Sequence, residues 1–229
     1  LVIQNELDAK VIRVDDLDGA INKLQSELNK QQSKVDEIAK TIFENRKKIV
    51  PVLIDKMKMI LSQLGMVEAN FQIEINHTNS YFQKGKDEVV LLFSANKGIS
   101  FGSLKKVASG GEMSRIMLAI KAVLANYSKL PTIIFDEIDT GVSGEIAIKM
   151  GEIMKEMSTT MQVFAITHLP QIAAKGNSHY KVAKRNQGET TISELNLLTS
   201  EERIQHIAEM LSGKDITDSA LQHAKALLN

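Results

Sequence analysis

Cysteine and tryptophan are absent from the chain, proline occurs three times, and aromatic residues make up only 4%. Without cysteine there is no disulfide, no thiolate metal site and no cysteine nucleophile. That usage fits a reducing compartment. No apolar run approaches the roughly 18 residues needed to span a bilayer. The opening Leu1-Val2-Ile3-Gln4-Asn5-Glu6 lacks the charged start of a signal peptide. An excess of one charge is missing too: 28 basic side chains face 28 acidic ones, which excludes a strongly basic nucleic-acid wrapper but allows a local patch. What is present, 43% apolar and 24% charged residues, is enough to build a core.

The first 65 residues carry one seam. It runs Ile3, Leu7, Lys10, Val14, Leu17, Ile21, Leu24, Leu28, Gln31, Val35, Ile38, Ile42, Asn45, Ile49, Val52, in alternating steps of four and three. A period of 3.5 residues keeps one stripe on a partner helix, as in a left-handed coiled coil. Asp15-Asp16-Leu17-Asp18-Gly19 either breaks this helix or lies within it, because the register survives the segment. Pro51 should kink or restart the helix, and Gly65 should end it. The blander reading is one amphipathic helix lying on a globular core. No second segment carries the same period, so the stripe's partner is expected from another chain or from further sequence of the same protein. Leu1 in place of an initiating Met points the same way. Residues 1–65 are thus read as a coiled-coil arm and 66–229 as a globular lobe.

From Phe71 the period becomes two. Phe71, Ile73 and Ile75 mark one strand, 88–94 its neighbour, and polar 76–87 the hairpin loop. Helices are expected over 110–126, 143–157, 201–211 and 217–228. The apolar runs 132–135 and 162–167 read as strands buried on both faces. An antiparallel pair is expected over 179–184 and 190–197 around Asn186-Gln187-Gly188. Strand and helix alternate in the middle, which argues an α/β fold.

Three features sit at strand or helix ends. Ser109-Gly110-Gly111-Glu112 opens a helix, where free N–H groups and the positive dipole end suit an anion; read alone, it is a capped helix. Asp136-Glu137 ends a buried strand, where one carboxylate can hold Mg²⁺ and the next can activate a water; read alone, it is a solvated strand end. His168 follows the next strand and can donate to a phosphate, although a lone histidine there is more often merely exposed.

In this order and spacing the three resemble the C-terminal half of an ABC-type ATPase head, and the coiled coil places it in the SMC-like branch rather than among transporters. Phe93-Ser94-Ala95-Asn96, Lys106–Arg115, Ile134–Gly144, Ile166–Ala174 and Met210–Gly213 are similar to the SMC-like ATPases of bacterial DNA repair. The resemblance implies an α/β head with a long antiparallel coiled-coil arm, acting in double-strand-break repair and recombination in the bacterial cytoplasm, at the nucleoid. It implies ATP and Mg²⁺ as cofactors. Its partners would be the N-terminal half of the same protein, a second copy, and DNA. Ser109, Gly110, Gly111 and Glu112 would form the signature facing the γ-phosphate, and Asp136 would hold Mg²⁺. Glu137 would be the base, His168 the γ-phosphate sensor, and Asp139 the residue crossing the dimer interface.

The chain departs from the full pattern in one respect. Gly85-Lys86 and Gly213-Lys214 are each followed by Asp, so no phosphate-cradling Gly-x-x-x-x-Gly-Lys-Ser/Thr occurs. In the family that loop lies in the N-terminal half, so this chain is expected to be the C-terminal part, inactive alone. The rival reading is a scaffold with a degenerate head kept for dimerisation. Lys105-Lys106 and Lys181, Lys184 and Arg185 are candidate DNA contacts.

Overall fold

The structure is a computed structural model that describes all residues except 1, 126, 129, 188, 189 and 214. Helix α1 (Val2–Gln63) runs without interruption through Asp15–Gly19 and through Pro51. One missing N–H in so long a ladder does not end it. The expected stop is met: Gly65 takes φ +75, the Gly65 N–H donates to Ser62 O at 3.2 Å and the Met66 N–H to Leu61 O at 2.8 Å. This pair of bonds is the Schellman arrangement, which glycine permits because it has no Cβ to clash in the left-handed region. Much of the seam is open to solvent, with Leu17, Ile21, Leu24, Leu28 and Ile38 exposed, while Ile42 is half-buried. The side chains of Leu7, Lys10 and Val14 lie outside the described residues.

The chain forms two compact units, Leu1–Pro51 with Ile73–Val90, and Val52–Gln72 with Leu91–Asn229. They divide the chain differently from the 65/66 boundary drawn on the sequence.

In the first unit, the arm, α1 meets the outer part of a hairpin. Its strands are β1 (Asn70–Phe82) and β2 (Gly85–Ser94), which are sheet neighbours, with β3 (Gly102–Ser103) beyond β2. The polar 76–87 segment is therefore mostly strand, not loop. Its polar residues turn to α1: Arg46 Nη1 lies 3.0 Å from Asp87 Oδ2, and His77 Nδ1 lies 3.0 Å from Asp87 Oδ1. Lys86 Nζ and the Tyr81 hydroxyl reach Asp36 at 3.0 and 2.7 Å.

In the second unit, the head, α2 (Leu104–Val107) and α3 (Gly110–Ala125) precede β4 (Thr132–Asp136), α4 (Gly144–Met157), β5 (Gln162–Ile166) and α5 (Pro170–Ala173). β4 and β5 are parallel, with Thr132 opposite Gln162 and Asp136 opposite Ile166. The core gathers Leu64, Leu118, Phe135, Met150, Met154 and Met157 from the end of α1, α3, β4 and α4. The expectation of strands buried on both faces needs correction. Ile134, Phe164 and Ile166 are 64%, 44% and 56% exposed, so the described residues cover one face only. β6 (Tyr180–Gln187) and β7 (Thr190–Leu197) form the expected antiparallel pair, while Gly188 in their turn lies outside the described residues. α6 (Ser200–Ser212) starts with a full capping box between Thr199 and Glu202, and α7 (Asp218–Leu228) packs on it through Ile207, Ala208, Ala220 and Ala224.

Candidate functional site

The parallel register carries the ends of β4 and β5 to the same edge of the sheet, the edge where open α/β sheets take ligands. Asp136 and Glu137 leave β4 there, both exposed, and Thr167 and His168 leave β5 beside them. Glu137 is the one described non-glycine residue with positive φ, at 50°. Such a conformation costs a non-glycine residue about 1–3 kcal/mol and persists where the surroundings impose it. Here the turn holds it: the Thr140 hydroxyl donates to Glu137 O at 2.9 Å and the Val142 N–H to Asp139 O at 3.2 Å.

The start of α3 closes on this turn. A Cβ on Gly111 would stand 3.3 Å from both the Thr140 and Gly141 carbonyl oxygens, so a larger residue there would push the helix start and the turn apart by a few tenths of an ångström. Ser109 is exposed at the helix start. Glu112 reaches back to accept the Ser109 N–H at 2.8 Å, which makes its carboxylate a cap for its own helix. Arg115 has no task that the sequence alone could assign. Its Nη1 donates to Leu64 O at 3.0 Å and its Nε to Gly111 O at 3.3 Å, so the guanidinium ties the C-terminal end of α1 to the start of α3. A cation at a helix C-terminus is also favoured by the helix dipole.

Asp139, which the resemblance would set at a dimer interface, has its side chain fully buried within its own head. One oxygen, Oδ2, accepts the Thr167 hydroxyl and, at 3.1 Å, the His168 backbone N–H. The His168 ring, largely exposed, sets its Nδ1 3.3 Å from the same oxygen. Nothing in a sequence marks an acid after a strand as inward-facing. The Thr167-His168 dipeptide beside the next strand was the only available hint.

The site therefore assembles Ser109, Gly110 and Gly111, Asp136 and Glu137, and His168 around one turn. For Mg²⁺ the donor set fits a shared site. Among the described residues no three His, Cys, Asp or Glu side chains converge on a metal position, and Asp136 offers one carboxylate. Mg²⁺ is commonly held in that way, by one or two carboxylates plus substrate phosphates. Of the candidate DNA contacts, Lys181 pairs with Glu209 at 2.8 Å and Arg185 with Glu194 at 3.7 Å.

Solved structures define the class of fold. The Smc head domain with a coiled coil and joint from Pyrococcus yayanosii superposes with a TM-score of 0.56 at 17% identity, over 83% of this chain and 36% of that one. A second structure, which concerns ATP-driven dimerization and DNA stimulated activation of SMC ATPases, gives 0.51 at 17% identity, over 75% of this chain and 99% of that one. The chain thus has the fold of an SMC-type ATPase head, with a long N-terminal helix.

Sequence narrows the class. DNA repair protein RecN of Rickettsia conorii is 40% identical over 91% of this chain, and that of Deinococcus radiodurans 37% identical over 90%. The chain is homologous to the RecN proteins and spans 38% and 36% of the length of these two. No family model matches it.

Proposed function

We propose that this chain supplies one side of an ATP site in a bacterial SMC-like ATPase of double-strand-break repair and recombination. The carrying observation is the meeting at one sheet edge of the β4 carboxylates, the β5 histidine and the Ser109-Gly110-Gly111 helix start. In this reading ATP with Mg²⁺ supplies the phosphoanhydride bond whose hydrolysis drives the cycle. Ser109, Gly110 and Gly111 present a hydroxyl and N–H groups to a γ-phosphate cradled by a second head. Asp136 holds Mg²⁺, and Glu137 takes a proton from the attacking water. His168 points Nε2 away from Asp139, toward the phosphate.

The cradle itself belongs to the N-terminal half of the same protein. The open face of Ile134, Phe164 and Ile166, and the open seam of α1, support a partner that covers apolar surface. Two copies would pair through ATP, in the manner of the ATP-driven dimerization of the SMC ATPases with which the head shares its fold. DNA would be engaged and released with the cycle, in the bacterial cytoplasm.

The test is Glu137→Gln in the full-length protein. ATP binding should persist while turnover falls about 10²–10⁴-fold, the usual cost of losing a general base. Turnover within about threefold of wild type would remove Glu137 from that role.

A further inference from the structure

Asp139 is the buried carboxylate at the site that the ATP reading leaves without a task. Hiding a carboxylate from water is costly unless its oxygens are served. Here the service is one-sided: Oδ2 takes the Thr167 hydroxyl and the His168 N–H, while Oδ1 has no partner among the described residues. All the donors come from one short segment, the two residues that leave β5. The Thr167 oxygen in turn accepts the Leu169 N–H at 3.0 Å, so the hydroxyl that donates to Asp139 also bends the chain into α5. His168 is therefore held at its backbone by a buried acceptor, and its ring is steered by the 3.3 Å approach of Nδ1 to the same oxygen.

The loop that carries Asp139 is itself anchored. Its Thr140 and Gly141 carbonyls abut Gly111, and the left-handed Glu137 precedes it. A carboxylate on a fixed loop, serving the segment that presents the histidine, acts as a template for that segment.

We propose that Asp139 is the positioning residue for His168: it fixes the backbone and ring direction of the histidine from beneath, without touching the nucleotide. Its consequence for turnover rests on the ATPase reading above. Its geometry is testable apart from that reading.

The experiment uses the full-length protein and pairs amide hydrogen exchange with steady-state ATP hydrolysis. In Asp139→Ala, exchange in a peptide covering 164–173 should rise about tenfold or more, while a peptide covering 144–157 is unchanged. The kcat should fall about tenfold or more with KM for ATP within about threefold, because the lost group positions and does not bind. Asp139→Asn keeps one acceptor oxygen and should recover part of both losses. Thr167→Val removes one donor in a nearly isosteric side chain. It should shift both readouts the same way by less, which guards against an unfolded Asp139→Ala. Unchanged exchange at 164–173 in Asp139→Ala and Thr167→Val overturns the proposal, as does raised exchange with kcat intact. A wild-type protein without ATP turnover defeats the ATPase reading instead. The exchange comparison then judges the template on its own, a rise upholding it and no rise overturning it.

Discussion

The two units of this chain are held by different physics. In the head, the large side chains packed between the end of α1, α3, β4 and α4 are Leu, Ile, Phe and a run of methionines, with Met150 fully buried and Met154 and Met157 nearly so. In the arm, the hairpin meets α1 through charge. Asp87 is buried between Arg46 and His77, and Asp36 gathers Lys86 and the Tyr81 hydroxyl. The Tyr81 hydroxyl and then Lys86 hold the Asp36 carboxyl below its ordinary range. Apolar contact tolerates sliding, whereas a buried carboxylate with a guanidinium needs one geometry. The arm is thus specified by register and the head by volume. A lesion in one should leave the other intact.

The largest effect is expected from the head. Met150→Ala should cost about 2–5 kcal/mol, the transfer term plus the cavity left in a packed core. Chemical denaturation of the full-length protein should show this as a loss of head stability. Hydrogen exchange in the hairpin peptide 73–90 should stay at its wild-type rate. An equal loosening of that peptide would erase the contrast between the units.

The contrast also explains what the sequence disclosed. The 3.5 period, the Gly65 stop, the parallel strands and the helices α6 and α7 are written in short-range pattern and turn chemistry, and they were legible. The outer hairpin was not. Residues 76–87 look like loop because they are polar, yet they pair as the outer parts of β1 and β2 and set polar side chains against Arg46 and Asp36 of α1. The open face of β4 and β5 was equally hidden, because an apolar run reports that a face wants cover and not what covers it. At the site, Ser109, Asp136, Glu137 and His168 are candidates by type and spacing, and the fold brings them to one turn. The inward turn of Asp139 and the tie from Arg115 to Leu64 are not legible in the sequence.

A smaller effect is expected in the arm. Arg46→Met keeps the aliphatic stem and removes the partner of Asp87, and its loss should cost about 1–3 kcal/mol, the penalty of a buried acceptor left half served. His77 stays beside the other oxygen of Asp87, which keeps the loss from being larger. Exchange in 73–90 should quicken while the denaturation of the head is unchanged. A fall in head stability matching that of Met150→Ala would mean that the two units melt together.

The smallest effect near neutral pH tests the polar exception inside the head. His179 is buried against His206, with His206 Nδ1 3.0 Å from His179 Nε2. Arg203 lies on the same helix as His206, and its guanidinium donates to Ala174 O at 2.8 Å. Lys181 and Glu209 pair alongside. Burial first, then the positive fields of His206, Arg203 and Lys181, push His179 down to about 4, and burial also lowers His206. A histidine whose folded value is depressed is neutral in both states above about 6.5, so it contributes no pH dependence there. As pH falls below that value, the unfolded chain takes the proton first and stability drains away until the folded value is reached. For His179 alone the loss is just under about 1 kcal/mol at pH 6 and about 2 kcal/mol at pH 5. Exchange in a peptide covering 178–212 should quicken over this range, while 144–157, in the methionine core, holds. His179→Phe keeps a ring in the site and should flatten the decline. A decline of the same size in that variant would remove His179 as its source.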